Sequence, residues 1–315
     1  MGIERLTSRA IIGEFYNVLE QEIGSSWIDP LSMLFTSDQA SEEYGWLGQS
    51  PVMREWIGGR HAKGFRENGL TIKNKHFEAT IEVLLKDMRR DKTGQVLIRI
   101  ADLATRTNSH WASLLSTLIL NGASSLCYDE QYFFDTDHSE GDSGVQSNKI
   151  TVDISALPAQ VHGVTTLPSA EEMRAAIMQG VAQILGFKDN AGEPMNENAR
   201  AFLVQVPISL FAVAVEAVAP PAQTTGPQVG AIPPKFSVSV ETNARLNSWT
   251  DTFAVFRTDG KVKPFIRQQE TDVVLKAIAE GSELEFKEDK HEYGVDTWRN
   301  VGYGYWQHAC LVTLI

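Results

Sequence analysis

Asp129, Asp135, Asp137 and His138 stand within ten residues of one another, and carboxylates beside an imidazole are a donor set that could hold a divalent cation. The spacing argues against a built site. The Asp-x-Asp-His order lacks the ligand set of a calcium loop, and no HExxH pair puts two imidazoles on one helical face. Polar residues at a turn are the default for such a cluster. Cys127, flanked by Leu126 and Tyr128, reads as a small buried hydrophobe rather than a thiolate. No Gly-x-Ser-x-Gly elbow, Cys-with-His signature, Walker pattern or dinucleotide glycine pattern occurs. The expectation is a chain with no catalytic, cofactor-binding or metal-ligating residues, and with no cofactor. The rival reading from this cluster is a soluble metal-dependent hydrolase built on Asp135 to His138.

Composition narrows the field further. A chain of 315 residues can hold one large core or two subdomains sharing one, and 43% hydrophobic residues is ordinary for a folded protein. Lys and Arg number 28 against 40 Asp and Glu, a net charge of -12, so no global attraction for polyphosphate or anionic membrane is present. Contact with nucleic acid would be local and non-specific. The two cysteines, Cys127 and Cys310, are too few for a disulfide framework and suit a reducing compartment, with a single bridge between them left open. The start MGIERLTSRA has no apolar signal region, and the apolar stretch Ile208 to Ala219 is interrupted by Glu216 and too short for a bilayer. A soluble cytoplasmic protein is expected.

The elements that would carry these residues follow from periodicity. Ile11, Ile12, Phe15, Val18, Leu19 and Ile23 share one face of an amphipathic helix over Ser8 to Ile23. From Tyr44 to Arg66, Trp46 and Trp56 are interspersed with five glycines, which favours turns and extended ribbon over helix. Phe77, Ala79, Ile81, Val83 and Leu85 then alternate with polar residues as the return strand of a long hairpin. An isolated ribbon is marginal in water and needs another surface, either a neighbour or the subunit's own core. After a turn at Asp91 to Gly94, a helical stripe from Leu97 to Ile119 predicts a rod of roughly 40 Å, open to a break near Asn108 and Ser109. Ser169 and Glu172 form a capping box for a second helix that runs to Gly186. Strands are expected at Phe202–Val206 and Phe236–Val240, with a short helix from Ile208 and a Pro- and Gly-rich loop over 220–234. Asp259-Gly260 signals a hairpin between Phe253–Phe256 and Val262–Ile266, and Val301 to Ile315 reads as a closing strand.

Three quoted words in their order, YGWLGQSPVMREWIGGR at Tyr44–Arg60, NKHFEATIEV at Asn74–Val83 and YDEQYFFDTDH at Tyr128–His138, resemble the Mu-like prophage major head subunit (gpT) family. The closing segment YGVDTWRNVGYGYWQHA, Tyr293 to Ala309, fits the same family's C-terminal end. The resemblance implies an α+β, Hong Kong 97-like major capsid fold. Its parts would be an N-terminal arm (1–40), an extended loop or E-loop (41–86), a peripheral P-domain with a spine helix (87–150), an axial A-domain (151–245) and further P-domain strands (246–315). It implies self-association as pentamers and hexamers into an icosahedral shell, assembled in the host cytoplasm and retained in the virion. Scaffolding protein, portal, a decoration protein and packaged double-stranded DNA would be partners, with no membrane. An encapsulin-like compartment of the same fold is the nearer rival.

On that reading Tyr128, Tyr132, Phe133 and Phe134 pack at the end of the spine helix while the neighbouring acids cap or pair. Phe15, Trp46, Arg54, Trp56, Arg60, Lys63 and Arg66 become candidates for contact with neighbouring subunits, the tryptophans as anchors and the charges setting register. Lys63 and Asn300 lie where covalently cross-linked shells of this fold place their partners, but no motif marks either residue, so no cross-link is expected. An acidic inner wall would keep packaged DNA from adhering through counterion release, although solubility alone explains the same charge.

Overall fold

The computed structural model describes residues 7–21, 26–47, 69–91, 94–219 and 236–315. In chain order, α1 (Ser8–Gln21) and the one-turn α2 (Ile28–Leu31) precede β1 (Ser32–Thr36), β2 (Ser41–Tyr44), β3 (Leu70–Lys73) and β4 (Lys75–Leu84). Helices α3 (Leu85–Arg90) and α4 (Gln95–Leu120) follow, then β5 (Lys149–Val152), α5 (Ala170–Leu185), β6 (Ala201–Val206), α6 (Ile208–Val218) and β7 (Ser237–Thr242). The C-terminal part holds β8 (Thr252–Arg257), β9 (Phe265–Gln269), β10 (Val274–Ile278), α7 (Glu283–Glu288), β11 (Lys290–Tyr303) and β12 (Ala309–Leu314).

One sheet is ordered β1-β9-β11-β10, with β4 along the other edge of β11; the second is ordered β5-β12-β8-β6-β7. Strand β11 is long enough to serve several partners. It runs antiparallel to β4 from Lys290 to Arg299, to β10 around Tyr293, and to β9 from Arg299 to Tyr303. Helix α5 lies on β12 and β8, while α6 covers β6 and β7. The main core is continuous between the sheets, with Leu115, Phe133, Val255, Phe265 and Trp306 all at 0% exposure. A smaller core forms where α1 and α4 meet β10 and β11, around Ile11, Phe15, Ile100 and Tyr293.

Helix α4 runs unbroken for 26 residues, about 39 Å. Its first turn is capped by Asp91, whose carboxylate accepts from the backbone N–H groups of Gln95 (3.0 Å) and Val96 (2.9 Å). Asn108 and Ser109 do not break it. Asn108 turns its amide outward to donate to the carbonyl of Leu19 on α1, and the Ser109 hydroxyl bonds back to Arg106 O. At its end Gly122 lets Phe134 come so close that an added Cβ would sit 2.5 Å from the ring. Only glycine fits that approach. The capping box at Ser169 and Glu172 forms as the sequence predicts, and it opens α5.

Several expectations are corrected. Asp259-Gly260 does not close a hairpin: β8 pairs with β6 and β12, whereas β9 pairs with β1 and β11. The Asp259 carboxylate instead bonds Arg257 Nε (2.7 Å) and the backbone N–H of Arg200 (2.6 Å), and the chain crosses from one sheet to the other. The alternating segment after Asn74 is not the ribbon's return strand either. Its ten-residue ladder is with β11, and the short β3, paired with β2, forms the ribbon's stem. The last third is likewise divided, since β8 and β12 lie in the sheet with β5, β6 and β7, and only β9 to β11 join the sheet beside α4. Alternation and turn residues specify strands, but not which partner a strand finds.

Leu115 sits at 0% exposure in α4, whereas Ile98 on the same helix is 65% exposed. Leu115→Ala is expected to cost about 2–5 kcal/mol. Ile98→Ala should stay within about 0.5 kcal/mol. Chemical denaturation of the purified variants checks the pair, and equal losses would contradict the assigned face of α4.

Candidate functional site

The acidic aromatic turn that follows α4 does not assemble the four residues its spacing offers. Asp135 spends its carboxylate locally, accepting from the backbone N–H of Tyr132 (3.1 Å) and Thr136 (2.8 Å), and Asp137 is exposed. Asp129 and His138 do meet, and the third member is Cys127. Donor atoms of these three residues lie within 4.8 Å of one another. Their side chains are buried, His138 at 0% and Asp129 at 2%. The signal for Cys127 was available in the sequence, because it stands two residues before Asp129, but its apolar neighbours pointed to burial alone.

The hydrogen-bond roles follow from the carboxylate, which can only accept. His138 therefore donates from Nδ1 to Asp129 Oδ2 at 2.7 Å, and the Cys127 thiol donates to Oδ1 at 2.9 Å. The backbone N–H of Gln131 also donates to Oδ1, the third bond to this carboxylate. Burial alone would raise the Asp129 pKa, but the bonds from His138 and Cys127 outweigh it and hold the carboxyl below its ordinary value. The opposite happens at Cys127. Burial, with the Asp129 charge beside it, pushes the thiol far up, so it stays protonated and is no nucleophile. Cys310 is also buried, free and pushed up by burial, and the two cysteines form no bridge.

This triad works as a joint. The His138 ring stacks on Trp306 with centroids 3.9 Å apart and planes within 8°, and Phe187 meets the same indole edge-on. Asn148 spans the same place, donating to the carbonyls of Phe133 (2.7 Å) and Trp306 (3.3 Å) while accepting from the backbone N–H of Asp135 (2.9 Å). Asn196 donates to the carbonyls of Ile184 and Gln307. Phe133 stacks on Tyr303, and Tyr303 in turn donates to the carbonyl of Leu118. The end of α4, the end of α5 and the turn between β11 and β12 are thereby locked together. A metal would have to displace hydrogen bonds among its own ligands, since O, N and S donors around a tetrahedral ion stand farther apart than these atoms do.

The candidates for contact between subunits lie elsewhere. Phe15 corrects its expectation, because it is at 0% exposure in the chain's own smaller core, edge-on to Tyr16, where the apolar face of α1 packs on α4. Trp46 falls in the single turn Gly45–Leu47, directly after β2. Arg54, Trp56, Arg60, Lys63 and Arg66 lie outside the described residues. The stem below them is firmly rooted: Tyr44 donates to Gln268 Oε1 at 2.8 Å, and Leu47 is at 0% exposure. Asn300 uses its amide to donate to the carbonyl of Lys73.

Asp129→Asn is expected to cost about 1.5–3 kcal/mol at neutral pH, because it replaces a charged acceptor of three buried bonds. The unfolded carboxyl titrates near ~3.9, above the folded one, so this stabilisation is complete above that pH and is lost as pH falls through the folded value. Denaturation curves of both chains should therefore converge in acid; a gap independent of pH would show that the charge of Asp129 is irrelevant.

Comparison with known proteins agrees with this geometry. The profile of the family described as Mu-like prophage major head subunit gpT matches residues 8–157 and 230–313. The Mu-like prophage FluMu major head subunit of Haemophilus influenzae is 34% identical over 111 residues, 35% of this chain and 36% of that protein. The major capsid protein of Escherichia phage Mu is 31% identical over 117 residues, 37% of this chain and 38% of that one. The chain thus matches little more than a third of the length of either relative. Among solved structures, the procapsid of bacteriophage JBD30 superposes with a TM-score of 0.55 at 23% identity, covering 97% of this chain and 73% of that one. That likeness shows the fold, the Hong Kong 97-type fold of phage capsid subunits, and the family is one of structural head proteins rather than enzymes. With its sequence matched from α1 to β12 apart from the stretch between residues 157 and 230, the chain belongs to the Mu-like prophage major head subunit gpT family.

Proposed function

We propose that this chain is the shell-forming head subunit of a Mu-like phage, self-associating as pentamers and hexamers into an icosahedral capsid around double-stranded DNA. The observation that carries the reading is the family match over most of the chain, on a subunit with a capsid fold. The subunit's own surfaces support it. The 21 residues 48–68 connect the two strands of the anchored β2–β3 stem and include Trp56 with Arg54, Arg60, Lys63 and Arg66. With Trp46 at its base, these residues are the proposed contacts on a neighbour, the tryptophans burying area and the cations setting register.

The sheet containing β12, with α5 and α6, is the proposed axial region. Its helix α6 leaves Ile208, Phe211 and Val215 on the outer face, at 55%, 41% and 41% exposure, the apolar stripe that crowding at a symmetry axis would cover. The sheet beside α4 is the proposed peripheral region. Identical copies in heterologous contact yield closed particles when the rotations close, and tubes or sheets when they do not. Scaffolding protein, portal, a decoration protein and non-specifically held DNA are the proposed partners, and the virion, assembled in the host cytoplasm, is the proposed location. Among the described residues no helix is long and apolar enough to cross a membrane.

Removing residues 48–68 and joining Leu47 to Gly69 by a short turn tests the ribbon while sparing its stem, because an added Cβ on Gly69 would lie 2.6 Å from Gly45 N. The two ends already meet. The expected result is folded subunits, by circular dichroism and a cooperative melt, that form no stable shells in electron micrographs. Particles of normal size and stability from this variant would remove the ribbon from the assembly mechanism.

A further inference from the structure

Midway along α4 a guanidinium is buried without a carboxylate. Arg299 of β11 is 3% exposed, and its Nη2 donates to the carbonyl of Thr107 at 3.1 Å. Its Nε is buried with no hydrogen-bond partner, and no ion pair to it forms among the described residues. Its neighbour Arg267 is different, since that side chain pairs with Asp29 at 2.5 Å. The two guanidinium groups lie over Trp111, Arg299 at 4.8 Å and Arg267 at 5.6 Å from the ring centroid. The indole offers part of the compensation a buried cation requires, but not the hydrogen-bond acceptors.

Arg299 also lines a cavity of about 190 Å³ between α4, β4 and β11. Phe77, Leu103 and Val295 form apolar wall, and Thr107 and His110 share the cavity with the guanidinium. Several water molecules' worth of space, at about 30 Å³ each, is ample for a carboxylate or phosphate group. His110 stands edge-on to Phe77 with its Nδ1 buried and unpartnered.

We propose that this cavity is an oxyanion site, in which Arg299 and His110 receive a carboxylate or phosphate group from outside the subunit. The oxygens give the Arg299 guanidinium the counter-charge that no described carboxylate supplies, in the charge-assisted geometry guanidinium groups favour. Electrostatics agree with a missing anion. His110 is lowered to about 4, by burial first and then by the positive charges of Arg299 and Arg245. Burial also brings Arg299 down to about 10. The other charges lining the cavity are Arg106 on α4, Glu78 on β4 and Asp296 on β11. Asp296 is already taken up by Lys276 (3.0 Å) and His76 (3.4 Å), and Glu78 accepts from Thr80 (3.1 Å). Neither carboxylate pairs with Arg299. The anion has two chemical sources, a free ion or a side-chain carboxylate of a second copy of this chain; only the second source rests on the shell reading.

The imidazole of His110 reports on the site. Its NMR resonance is followed against pH in purified subunits in phosphate-free buffer, then with inorganic phosphate, with acetate, and with chloride at matched ionic strength. Phosphate or acetate is expected to raise the His110 midpoint by about 1–3 units, as an opposite charge at close range does. Arg299→Met should abolish that response, and Arg299→Lys should retain a weaker one; if Arg299→Met does not fold, the lysine variant and the natural chain decide. A raised midpoint in assembled shells without phosphate assigns the anion to a neighbouring copy, and a rise in shells only on adding phosphate assigns it to the free ion. No response to either anion and none on assembly, or an equal response to chloride, overturns the site.

Discussion

The fold depends on a single constraint: the C-terminal segment Lys290–Leu314 must belong to both sheets. As β11 it is flanked by β4 on one edge and by β10 and β9 on the other, and as β12 it lies between β5 and β8. Only the short turn around Trp306 separates the two roles. Everything that holds the sheets in one relative position converges there. Trp306 is wholly buried against His138 and Phe187, Gln307 bonds Tyr128, and Gly304 allows a backbone approach in which a Cβ would sit 2.3 Å from the carbonyl oxygen of Lys263. Strand β12 is paired on both edges, by β5 and β8. Movement between the sheets would have to break the packing around the turn that joins β11 to β12.

This constraint also explains which parts of the fold were legible in the sequence. Helix α4 and the capping box of α5 are local: the stripe, the cap and the exit glycine are written within the element. The strands of the C-terminal third were legible as strands, through Val and Phe alternation, but their partners are far away along the chain. Phe253–Phe256 finds β12 far along the chain, 55 positions later in the pairing of Val255 with Cys310, a choice set by what each face must bury. The strong turn signal of Asp259-Gly260 lost to the ion pair with Arg257 and the backbone bonds to Arg200 and Ala201. The same limit applied at the joint. Asp129 and His138 were legible as a polar cluster, whereas the role of Cys127 needed the turn's actual path, with Cys127 N–H bonded to Gln131 O.

Buried polar groups gather in two places. At the joint Asp129, Asn148 and Asn196 are bonded and fix one arrangement of the elements around them, while His138 Nε2 and Trp306 Nε1 are buried there without hydrogen-bond partners. Beside α4, Arg299 and His110 likewise keep buried nitrogens without partners, next to a cavity lined by α4, β4 and β11. A buried group without a partner costs stability, and a partner that binds there stabilises the folded state.

Charge is unevenly spread along the chain: it is acidic overall, at -12, yet residues 48–68 hold four cations against two acids, while the α4 cavity sets Arg299 and Arg106 beside Glu78 and Asp296. Net repulsion between copies slows indiscriminate association, while local positive sites give specific contacts a direction. On the proposed shell reading, identical copies meet in a few defined ways and avoid many others, so rejecting wrong neighbours matters as much as binding right ones. A uniformly neutral surface would supply the attraction without the selection. Setting the cations of residues 48–68 into an otherwise acidic chain makes a contact favourable only where charge and shape fit together.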